Sequence, residues 1–286
     1  MFEIINKKDS KLAEYLSKFC INPKLTNYEY DIDECILSII VRCHNNSKYL
    51  HKCLDSLCSQ IYEDVEIIFV DDASDDNSLQ IATRFKQGYD FIKVLSINKQ
   101  SRTYSREIAT KFLNGKYVTF CDSDDSVSYN YIKTCLDSIN KNPECDLFIY
   151  GYRKVFNNAS EEHLPIFSRI AEHKQIENLI NSSFEFGGCM GIFKKSFLIE
   201  RLHNIYDLKS YEDFAFTYRC LVTSSKTAFI NKSIYFYNKQ NDDSATSVTS
   251  IDIADVCACC NYYACLIKQN QIPKEYIPVI CNKAIN

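Results

Sequence analysis

The sequence predicts an α/β fold in which a mostly parallel sheet is flanked by helices. From Cys35 onward, short apolar segments rich in β-branched residues alternate with segments whose apolar residues recur at helical spacing. This alternation is typical of right-handed βαβ units, whose strands run parallel. Polar clusters directly follow three of the apolar segments. Because ligands bind at the carboxyl ends of strands in such sheets, these clusters are where we expect a functional site.

The first half of the predicted sheet has four strands separated by three helices. Each strand is a short, buried-looking apolar run, and the first helix carries Leu50, Leu54 and Leu57 on one face. Gly115 is predicted to end the third helix. The strands are 36–41, 65–70, 91–96 and 116–121, and the helices are 48–60, 78–87 and 103–113.

The rest of the chain is less regular. Helix 129–140 and strand 146–152 continue the alternation, whereas the polar stretch 157–181 predicts loops with one helix. A helical pattern at 10–16 and a helix with an apolar, cysteine-rich face at 251–269 predict helical extensions at both ends. The expected units are an N-terminal helical extension (1–34), a main domain (35–245) and a C-terminal helical segment (246–286).

Composition and charge narrow the class of protein. The chain has 286 residues, 46% of them hydrophobic and 24% charged, with a net charge of −4, which disfavours a nucleic-acid partner. No apolar run approaches a membrane span of about 18 residues. The start, MFEIINKKDS, lacks the apolar core of a secretory signal. We therefore expect a cytoplasmic protein.

Fifteen cysteines need an explanation. Their odd number, their irregular spacing and the lack of paired CxxC motifs argue against a disulfide scaffold or a zinc site. The tightest cluster, Cys257–Cys260, lies with Cys265 in the predicted C-terminal helix. We expect these thiols to be small, buried hydrophobic side chains in a reducing compartment.

The first acidic cluster follows the fourth predicted strand. Asp122 and Asp124 are two residues apart, so on an extended chain both point to one side, where their oxygens suit Mg²⁺ or Mn²⁺. The alternative is a solvated turn or a cap for the next helix. For Asp125 or Ser126 the cap is the expectation.

The second acidic cluster, Asp71–Asp76, follows the second predicted strand. Asp75 or Asp76 is expected to cap the next helix, but Asp71 and Asp72 follow Val70 too closely for both to be caps. A carboxylate there can accept a hydrogen bond from the ring N–H of uracil or from a ribose hydroxyl. Together the two clusters predict a pocket for a nucleoside diphosphate.

Three stretches of the chain resemble family 2 glycosyltransferases, which have the GT-A fold. They read SIIVRCHNNSKYLHKCLDSL, VEIIFVDDASDDNS and SREIATKFLNGKYVTFCDSDD, and they match the family's first strand and turn, its V-D-D-G-S, its A-R-N helix with G-x-Y-I, and its D-x-D-D. The resemblance is close over 36–135. It continues at 188–195, at Tyr211–Phe216 (the family's E-D-x-x-F) and at Ile234–Tyr237, with Ser244 and Thr246 beyond.

The resemblance implies a nucleotide-sugar site. Asp72 would read the uracil, Asp124 would bind Mn²⁺ or Mg²⁺, and Asp122 would contact the metal or the ribose. Arg102 and Arg106 would lie near the base or the diphosphate, where positive charge suits an anionic donor. The full implied set for the nucleotide sugar is Arg42, His44, Asn45, Asp72, Arg102, Arg106, Asp122 and Ser123.

The resemblance also implies the catalytic residues. Asp213 would be the general base, with Glu212 beside it, because inversion needs a carboxylate that faces the acceptor hydroxyl opposite the leaving diphosphate. The alternative is that Glu212 and Asp213 cap the helix containing Phe214. Both hold together if the cap lies at the rim of the pocket.

The chain departs from the family pattern at several positions. Arg42 stands at the family's proline, His44 at its tyrosine, Ala73 at the glycine of V-D-D-G-S, and Glu107 at the asparagine of A-R-N. These changes bear on packing around the base. The family's late histidine near the metal has no counterpart in 238–243, where Asp242 or Asp243 is the expected substitute.

The implied enzyme is an inverting, metal-dependent hexosyl- or N-acetylhexosaminyl-transferase with a UDP-sugar donor. Its implied acceptor is a hydroxyl of a glycan or lipid-linked glycan in capsule or lipopolysaccharide synthesis, at the inner face of the membrane. Residues 35–135 would form the nucleotide-binding half and 136–245 the acceptor-binding half. The C-terminal helix would contact a membrane surface or a second copy of the chain.

Three rival functions remain. A phosphoacceptor receiver module would span only about 120 residues and leaves Glu212–Asp213 unexplained. A nucleotidyltransferase would carry a Gly-rich, basic phosphate loop after the first strand, which the sequence lacks. An inactive sugar-nucleotide-binding scaffold would share the motifs and differs only in lacking turnover.

Overall fold

A computed structural model describes residues 35–60, 62–98, 101–165, 173–182, 184–202, 212–241 and 253–285. The helical pattern predicted at 10–16 lies outside these residues. Within them, the chain forms a nine-stranded sheet flanked by helices. The predicted α/β architecture is confirmed.

The sheet has a parallel half and a mixed half. Its strands are β1 (Leu37–Cys43), β2 (Val65–Asp72), β3 (Ile92–Ile97), β4 (Tyr117–Asp122), β5 (Ser126–Val127), β6 (Leu147–Val155), β7 (Ser160–His163), β8 (Gly191–Lys194) and β9 (Thr227–Asn238). The order is β3-β2-β1-β4-β8-β6-β9-β5, with β7 paired to β6. Strands β1 to β4 pair in parallel, as predicted, and β6 pairs in parallel with β9. Strands β5, β7 and β8 bring the antiparallel pairs.

The helices of the described residues include all those predicted between 48 and 140, together with two, at 195–202 and 277–285, that were not predicted. They are α1 (Ser47–Cys58), α2 (Ser78–Gly88), α3 (Arg102–Thr110), α4 (Tyr131–Lys141), α5 (His173–Asn181), α6 (Lys195–Leu202), α7 (Glu212–Thr223), α8 (Ile253–Lys268) and α9 (Ile277–Ile285). The stretch 157–181 holds β7 as well as its one predicted helix. Polar, exposed β7 has no apolar alternation that would reveal it.

The parallel half brings the polar strand ends together. Strand β1 lies between β2 and β4, and Arg42 stands opposite both Val70 and Asp122 in the register. Cys43 stands opposite Asp71. The strands themselves are almost entirely buried, so their polar residues collect at the carboxyl edge.

Gly115 does not end the third helix, as was predicted, but has another structural role. Helix α3 ends earlier, at Thr110, and Gly115 lies just before β4. A Cβ on Gly115 would come within 2.5 Å of Ser38 N and 2.9 Å of Leu37 C. Its amide donates to Ser38 Oγ at 2.9 Å. Close approach to β1, rather than helix termination, therefore requires glycine.

Buried hydroxyls tie the two halves of the sheet together. Thr119 Oγ1 on β4 lies 3.0 Å from Tyr131 Oη and 3.1 Å from Tyr150 Oη, and it donates to the Gly191 carbonyl at 2.9 Å. Tyr150 donates to the Cys189 carbonyl at 2.7 Å. Because buried hydroxyls are costly without partners, this cluster holds the 3₁₀ turn Gly188–Met190 firmly against the sheet.

Helix α8 packs on α7 and corrects one expectation about the cysteines. Tyr263 donates to the carbonyls of Phe214 and Ala215, and Cys259 shares its buried face. The expected burial of the other thiols of the cluster is wrong: Cys257, Cys260 and Cys265 are exposed, because helical spacing turns them away from α7. Ten other described cysteines, including Cys259, are buried, and no described cysteine forms a disulfide.

The length and hydropathy of a helix decide whether it can span a membrane. Across the described residues, no helix combines the length and the apolar character needed to cross a bilayer. This agrees with the sequence, in which no apolar run approaches a span.

Candidate active site

Asp72, at the end of β2, has a fully buried side chain held by a cation. Arg42 donates to its Oδ2 from Nη2 at 2.7 Å and from Nε at 3.1 Å. The Ser101 amide donates to the same carboxylate, at 3.2 Å from Oδ2 and 3.3 Å from Oδ1. The guanidinium of Arg42 therefore neutralises the carboxylate predicted to read the base.

His44 and Asn45 lock the turn after β1 onto the turn after β2. His44 Nδ1 lies 2.8 Å from the Asp72 carbonyl, which only accepts, so Nδ1 carries a hydrogen and donates it to that carbonyl. Asn45 Oδ1 accepts from the backbone amide of Asp75 at 2.7 Å, and the backbone amide of Asn45 donates to Ser74 Oγ at 3.0 Å. His44 is half-buried and Asn45 exposed.

Ala73 keeps the backbone conformation that its position requires. Its φ is 57°, in the left-handed region where the family pattern has glycine. For alanine that conformation costs about 1–2 kcal/mol. The turn after Asp72 is thus preserved at a cost in stability.

Asp76 and Ser123 act in the framework behind the site. Asp76 accepts from the Ser47 amide and from the Ser78 amide, both at 2.9 Å, and so caps α1 and α2 as the sequence predicted for Asp75 or Asp76. Burial raises the pKa of Asp76, but the hydrogen bonds from Ser78 and Ser47 outweigh it and leave the pKa lowered. Ser123 is buried and accepts from Asn46 Nδ2 at 2.8 Å.

Asp122 ends β4 and Asp124 follows it, and both are half-buried. Burial and the neighbouring Asp124 charge raise the pKa of Asp122, against the opposing effects of Arg106 and a hydrogen bond with Cys189. Asp124 Oδ2 accepts from Asn241 Nδ2 at 2.7 Å. Among the ion pairs of the described residues, none includes Asp122 or Asp124. Their mutual repulsion is thus not relieved by a side-chain ion pair in this part of the chain.

Asp125 does not cap the next helix, and that expectation is wrong. Its side chain is buried, with Oδ2 accepting from the Tyr235 hydroxyl and Oδ1 from the Asn238 amide at 2.7 Å. Ser126 is part of β5, and helix α4 starts only at Tyr131. Asp125 instead ties the loop after β4 to β9, which a local sequence pattern does not reveal.

Two arginines of α3 face two carboxylates at the start of α7. Arg102 Nη1 lies 3.2 Å from Glu212 Oε1, and Arg106 Nη2 lies 2.6 Å from Asp213 Oδ1. Arg102 and Glu212 side chains are 38% and 3% exposed, and Arg106 and Asp213 side chains are 6% and 43% exposed. Glu212 and Asp213 also stand in the first turn of α7, where negative charge stabilises a helix.

The charges of this group influence one another. Burial and the adjacent Asp213 raise the pKa of Glu212, while Arg106 and Arg102 oppose that rise. Burial alone would lower the pKa of Arg106, but Asp213 and Glu212 outweigh it and raise the pKa, so Arg106 stays a cation. The group pairs two cations with two carboxylates.

The carboxylates after β4 fit a divalent cation. Asp122 and Asp124 supply the hard oxygen ligands that Mg²⁺ and Mn²⁺ prefer, and Mg²⁺ sites commonly combine one or two carboxylates with substrate phosphates. The described residues contain no cluster of three or more His, Cys, Asp or Glu side chains arranged to hold a metal by themselves. A site completed by a bound diphosphate agrees with both facts.

A cavity of about 730 Å³ lies away from this edge. None of the predicted site residues lines it, because it adjoins the amino-terminal ends of β1 and β4. Its lining is Ile36, Lys116, Tyr117, Ile139, Asn140, Pro143, Lys194, Lys195, Ser196 and Ile199. The carboxyl edge, where the titratable groups converge, is the better candidate for the active site.

Sequence reasoning missed several residues of the site. Asn241, next to the predicted substitutes Asp242 and Asp243, contacts Asp124, whereas those two lie outside the described residues. Gly188 adjoins both Asp213 and Arg106, and Cys189 adjoins Asp122. For Gly188 and Cys189 the only signal was the weak motif at 188–195, because the proximity of segments distant in sequence leaves no local pattern.

Known proteins resemble this chain in sequence. Residues 38–201 match the family model described as "Glycosyl transferase family 2". The chain is 27% identical over 216 residues to glycosyltransferase GlyG of Streptococcus pneumoniae, covering 72% of this chain and 71% of that protein. It is 28% identical to the poly(ribitol-phosphate) beta-glucosyltransferase of Bacillus spizizenii, over 75% of this chain but 34% of that protein. The chain thus spans only about a third of some relatives that it matches.

Solved structures show the same fold. S. aureus TarS 1–349 in complex with UDP-GlcNAc superposes with a TM-score of 0.65 at 22% identity, covering 79% of this chain and 66% of that one. The mannosyltransferase PcManGT of Pyrobaculum calidifontis, in complex with GDP-Man and Mn²⁺, superposes with a TM-score of 0.61 at 14% identity, covering 96% and 75%. At these identities the likeness establishes the architecture alone.

Proposed function

This chain belongs to glycosyl transferase family 2, and we propose that it moves a sugar, with inversion, from a nucleotide-diphosphate donor to a hydroxyl of a glycan acceptor. The observation that carries the proposal is one edge of the sheet. There Asp122 and Asp124, free of any ion pair in the described part of the chain, lie near Asp213, which has its own arginine. Metal-assisted departure of a diphosphate and proton removal from an acceptor need this pairing.

The donor site comprises the turns after β1 and β2 and the start of α3. Asp72 would accept from the base at Oδ1, whose contact with the Ser101 amide is long at 3.3 Å, while Arg42 holds Oδ2. This arrangement suits uracil, whose ring N–H donates between two carbonyl acceptors. His44 and Asn45 would shape the same rim, with Ser123 behind them, and half-exposed Arg102 would contact the diphosphate. The donor is therefore a UDP-sugar.

Asp122 and Asp124 would hold Mn²⁺ or Mg²⁺ together with the diphosphate. A cation there neutralises the charge that develops on the leaving nucleoside diphosphate. Asn241 would hold Asp124 in place through its hydrogen bond. The positive charge of Arg106 acts on Asp122.

Asp213 acts as the general base. Its exposed oxygen accepts the proton of the acceptor hydroxyl as the acceptor oxygen attacks the anomeric carbon and the bond to the diphosphate breaks with its electron pair. Glu212 is buried against Arg102 and supports this end of α7. Residues 35–135 then form the nucleotide-binding half and 136–245 the acceptor-binding half.

The biological setting is surface-glycan synthesis. Relatives include GlyG and a poly(ribitol-phosphate) beta-glucosyltransferase, and TarS was solved with UDP-GlcNAc, which support a hexosyl or N-acetylhexosaminyl donor and a polymeric or lipid-linked acceptor. The acceptor class is a capsule-type, lipopolysaccharide or related surface glycan made at the cytoplasmic side. Helix α8, with three exposed thiols, is the surface for a membrane or for a second copy of the chain.

Hydrolysis of UDP-sugars tests the proposal. The full chain is incubated with a panel of UDP-sugars, GDP-mannose and Mn²⁺, and release of UDP or GDP is followed with and without EDTA. We expect EDTA-sensitive release from at least one UDP-sugar, with α-linked donors giving β-anomers by NMR. No release from any sugar nucleotide, with UDP binding intact, would instead identify an inactive sugar-nucleotide-binding scaffold. Release of pyrophosphate from UTP would identify a nucleotidyltransferase.

A further inference from the structure

Arg106 is a buried cation whose position does not match a donor-binding role. Its side chain is 6% exposed, and its guanidinium carbon lies 5.6 Å from the centre of the Phe120 ring. A diphosphate needs an accessible cation, and Arg102, one turn earlier on α3 and 38% exposed, meets that need. Arg106 instead forms an ion pair inside the protein, with Asp213.

The ion pair with Arg106 gives the two carboxylate oxygens of Asp213 different surroundings. Oδ1 is buried beside Arg106 Nη2, 2.6 Å away, although the side chain as a whole is 43% exposed. The N–H is not aligned on Oδ1 well enough for a hydrogen bond, so the contact is an ion pair. The exposure of Asp213 therefore belongs to the rest of the side chain, which includes its other oxygen, Oδ2.

The turn Gly188–Met190 closes over this ion pair. A Cβ on Gly188 would lie 3.4 Å from Asp213 Oδ1 and 3.6 Å from Arg106 Nη2. The turn is itself fixed by the Tyr150 hydrogen bond to the Cys189 carbonyl. Arg106, Phe120 and the turn thus exclude water from one side of the carboxylate only.

We propose that Arg106 is a positioning residue for sugar transfer, which holds Asp213 Oδ1 so that Oδ2 faces the acceptor hydroxyl. The proposal rests on the proposed function, in which Asp213 is the base. A carboxylate on one short side chain samples several rotamers in solution, and an ion pair to a buried guanidinium selects one of them. Proton transfer requires this, because the base must lie within hydrogen-bond reach of the hydroxyl.

The fold explains why the residue is an arginine on α3. Arg102 and Arg106 are four apart and therefore share a helix face, which meets the adjacent residues Glu212 and Asp213. Each arginine takes one carboxylate. A lysine at 106 would keep the charge but lose the planar fork that fits between Phe120 and Asp213.

A double-mutant cycle tests the proposal in the full chain. The four proteins are the wild type, Arg106→Met, Asp213→Asn and the double variant. Turnover of UDP-glucose and UDP-N-acetylglucosamine with Mn²⁺ is measured together with UDP affinity by calorimetry. We expect Arg106→Met to lower turnover at least about thirtyfold with UDP affinity within about threefold of wild type. In the Asp213→Asn background the same change should have less than about a threefold effect.

Chemical rescue and a matched control sharpen the test. Methylguanidine should restore turnover of Arg106→Ala at least about tenfold and leave Asp213→Asn unchanged, since only the former lacks a guanidinium. Arg153→Met, which removes an exposed arginine from its pair with Glu162, should retain turnover within about twofold. Arg106→Lys should be intermediate.

Three outcomes would overturn the positioning role. One is a tenfold loss of UDP affinity with unchanged turnover, which would make Arg106 a donor ligand. Another is full additivity of the two substitutions in turnover. The third applies if Asp213→Asn proves as active as wild type, which contradicts the base assignment itself. Urea unfolding of the same four proteins then decides whether the pair exists, because a coupling under about twofold in the unfolding constant would exclude it.

Discussion

The two acidic groups of the candidate site are compensated in opposite ways. At the start of α7, Glu212 and Asp213 each have an arginine of α3, at 3.2 Å and 2.6 Å. After β4, Asp122 and Asp124 take part in none of the ion pairs of the described ranges, and Asp124 receives a hydrogen bond from Asn241. The protein thus pairs the first group with its own arginines and leaves the second without an ion pair in the described residues.

This difference indicates what each group is for. A carboxylate against a buried guanidinium is held in one orientation, which suits a base that must face the acceptor hydroxyl. Two neighbouring carboxylates without a cation repel each other, and a divalent metal relieves that repulsion when it binds. One sheet edge therefore produces two kinds of acidic site, distinguished by where the positive charge comes from.

The largest expected effect concerns the uncompensated group. Asp124→Ala should abolish Mn²⁺-dependent UDP binding, because it removes one of the two carboxylates that, among the described residues, are proposed to hold the cation. Calorimetry with and without Mn²⁺ measures this. Asp137→Ala, which removes an exposed carboxylate on α4, is the control and should bind normally. Unchanged Mn²⁺-dependent affinity in Asp124→Ala would refute the metal assignment.

The compensated group should respond differently. Asp213→Asn keeps the shape of the side chain but loses the base, so UDP should bind as in wild type while transfer slows at least about a hundredfold. Binding by calorimetry and turnover of a UDP-sugar separate the two effects. Near-wild-type turnover would place the base elsewhere.

A third carboxylate extends the comparison to stability. Asp125 is compensated by hydrogen bonds from Tyr235 and Asn238 rather than by a cation. Tyr235→Phe should lower the free energy of unfolding by about 1–3 kcal/mol, because it leaves a buried acceptor unpaired. Urea unfolding measures it, with Tyr129→Phe as control, since Tyr129 is 89% exposed. Equal stability of the two variants would mean that the hydroxyl of Tyr235 contributes nothing.

The smallest expected effect lies in the turn beside Asp72. Ala73→Gly should raise the free energy of unfolding by about 0.5 kcal/mol, because relief of the positive φ, about 1–2 kcal/mol, slightly exceeds the extra chain entropy of glycine. Ala264→Gly, at an exposed position of α8, should instead lower the free energy of unfolding, by about 1 kcal/mol. Urea unfolding of both variants measures the contrast, and a loss of stability in Ala73→Gly would contradict it.

Much of the fold could be predicted from the sequence. Alternating strands and helices in the first half appear as local hydrophobic periodicity, and strand ends such as Asp71–Asp72 and Asp122 follow directly from where those runs stop. The antiparallel additions β5, β7 and β8 were missed, because they are two to four residues long and too short for a period to be visible. Strand β9 was missed as well, although it is 12 residues long.

The sequence also misled where a local explanation competed with a distant one. Asp125 looked like a cap for the next helix, yet its partner Tyr235 lies 110 residues away. The cysteine cluster at 257–260 looked uniformly buried, yet the rotation of α8 on α7 leaves Cys257 and Cys260 outside. In both cases tertiary packing, and not the local sequence pattern, determined the partner or the burial of the side chain.

By itself, the sequence determined which residue types stand at the carboxyl ends of the strands and hence the kind of chemistry. Helical and strand periods are local properties, so they and the motifs that they position can be read along the chain. Only the tertiary structure decided which carboxylates receive a cation, since Arg102 and Glu212 are 110 residues apart. The physical reason is that a charge is neutralised by whatever lies within a few ångströms of it, whatever the distance along the sequence.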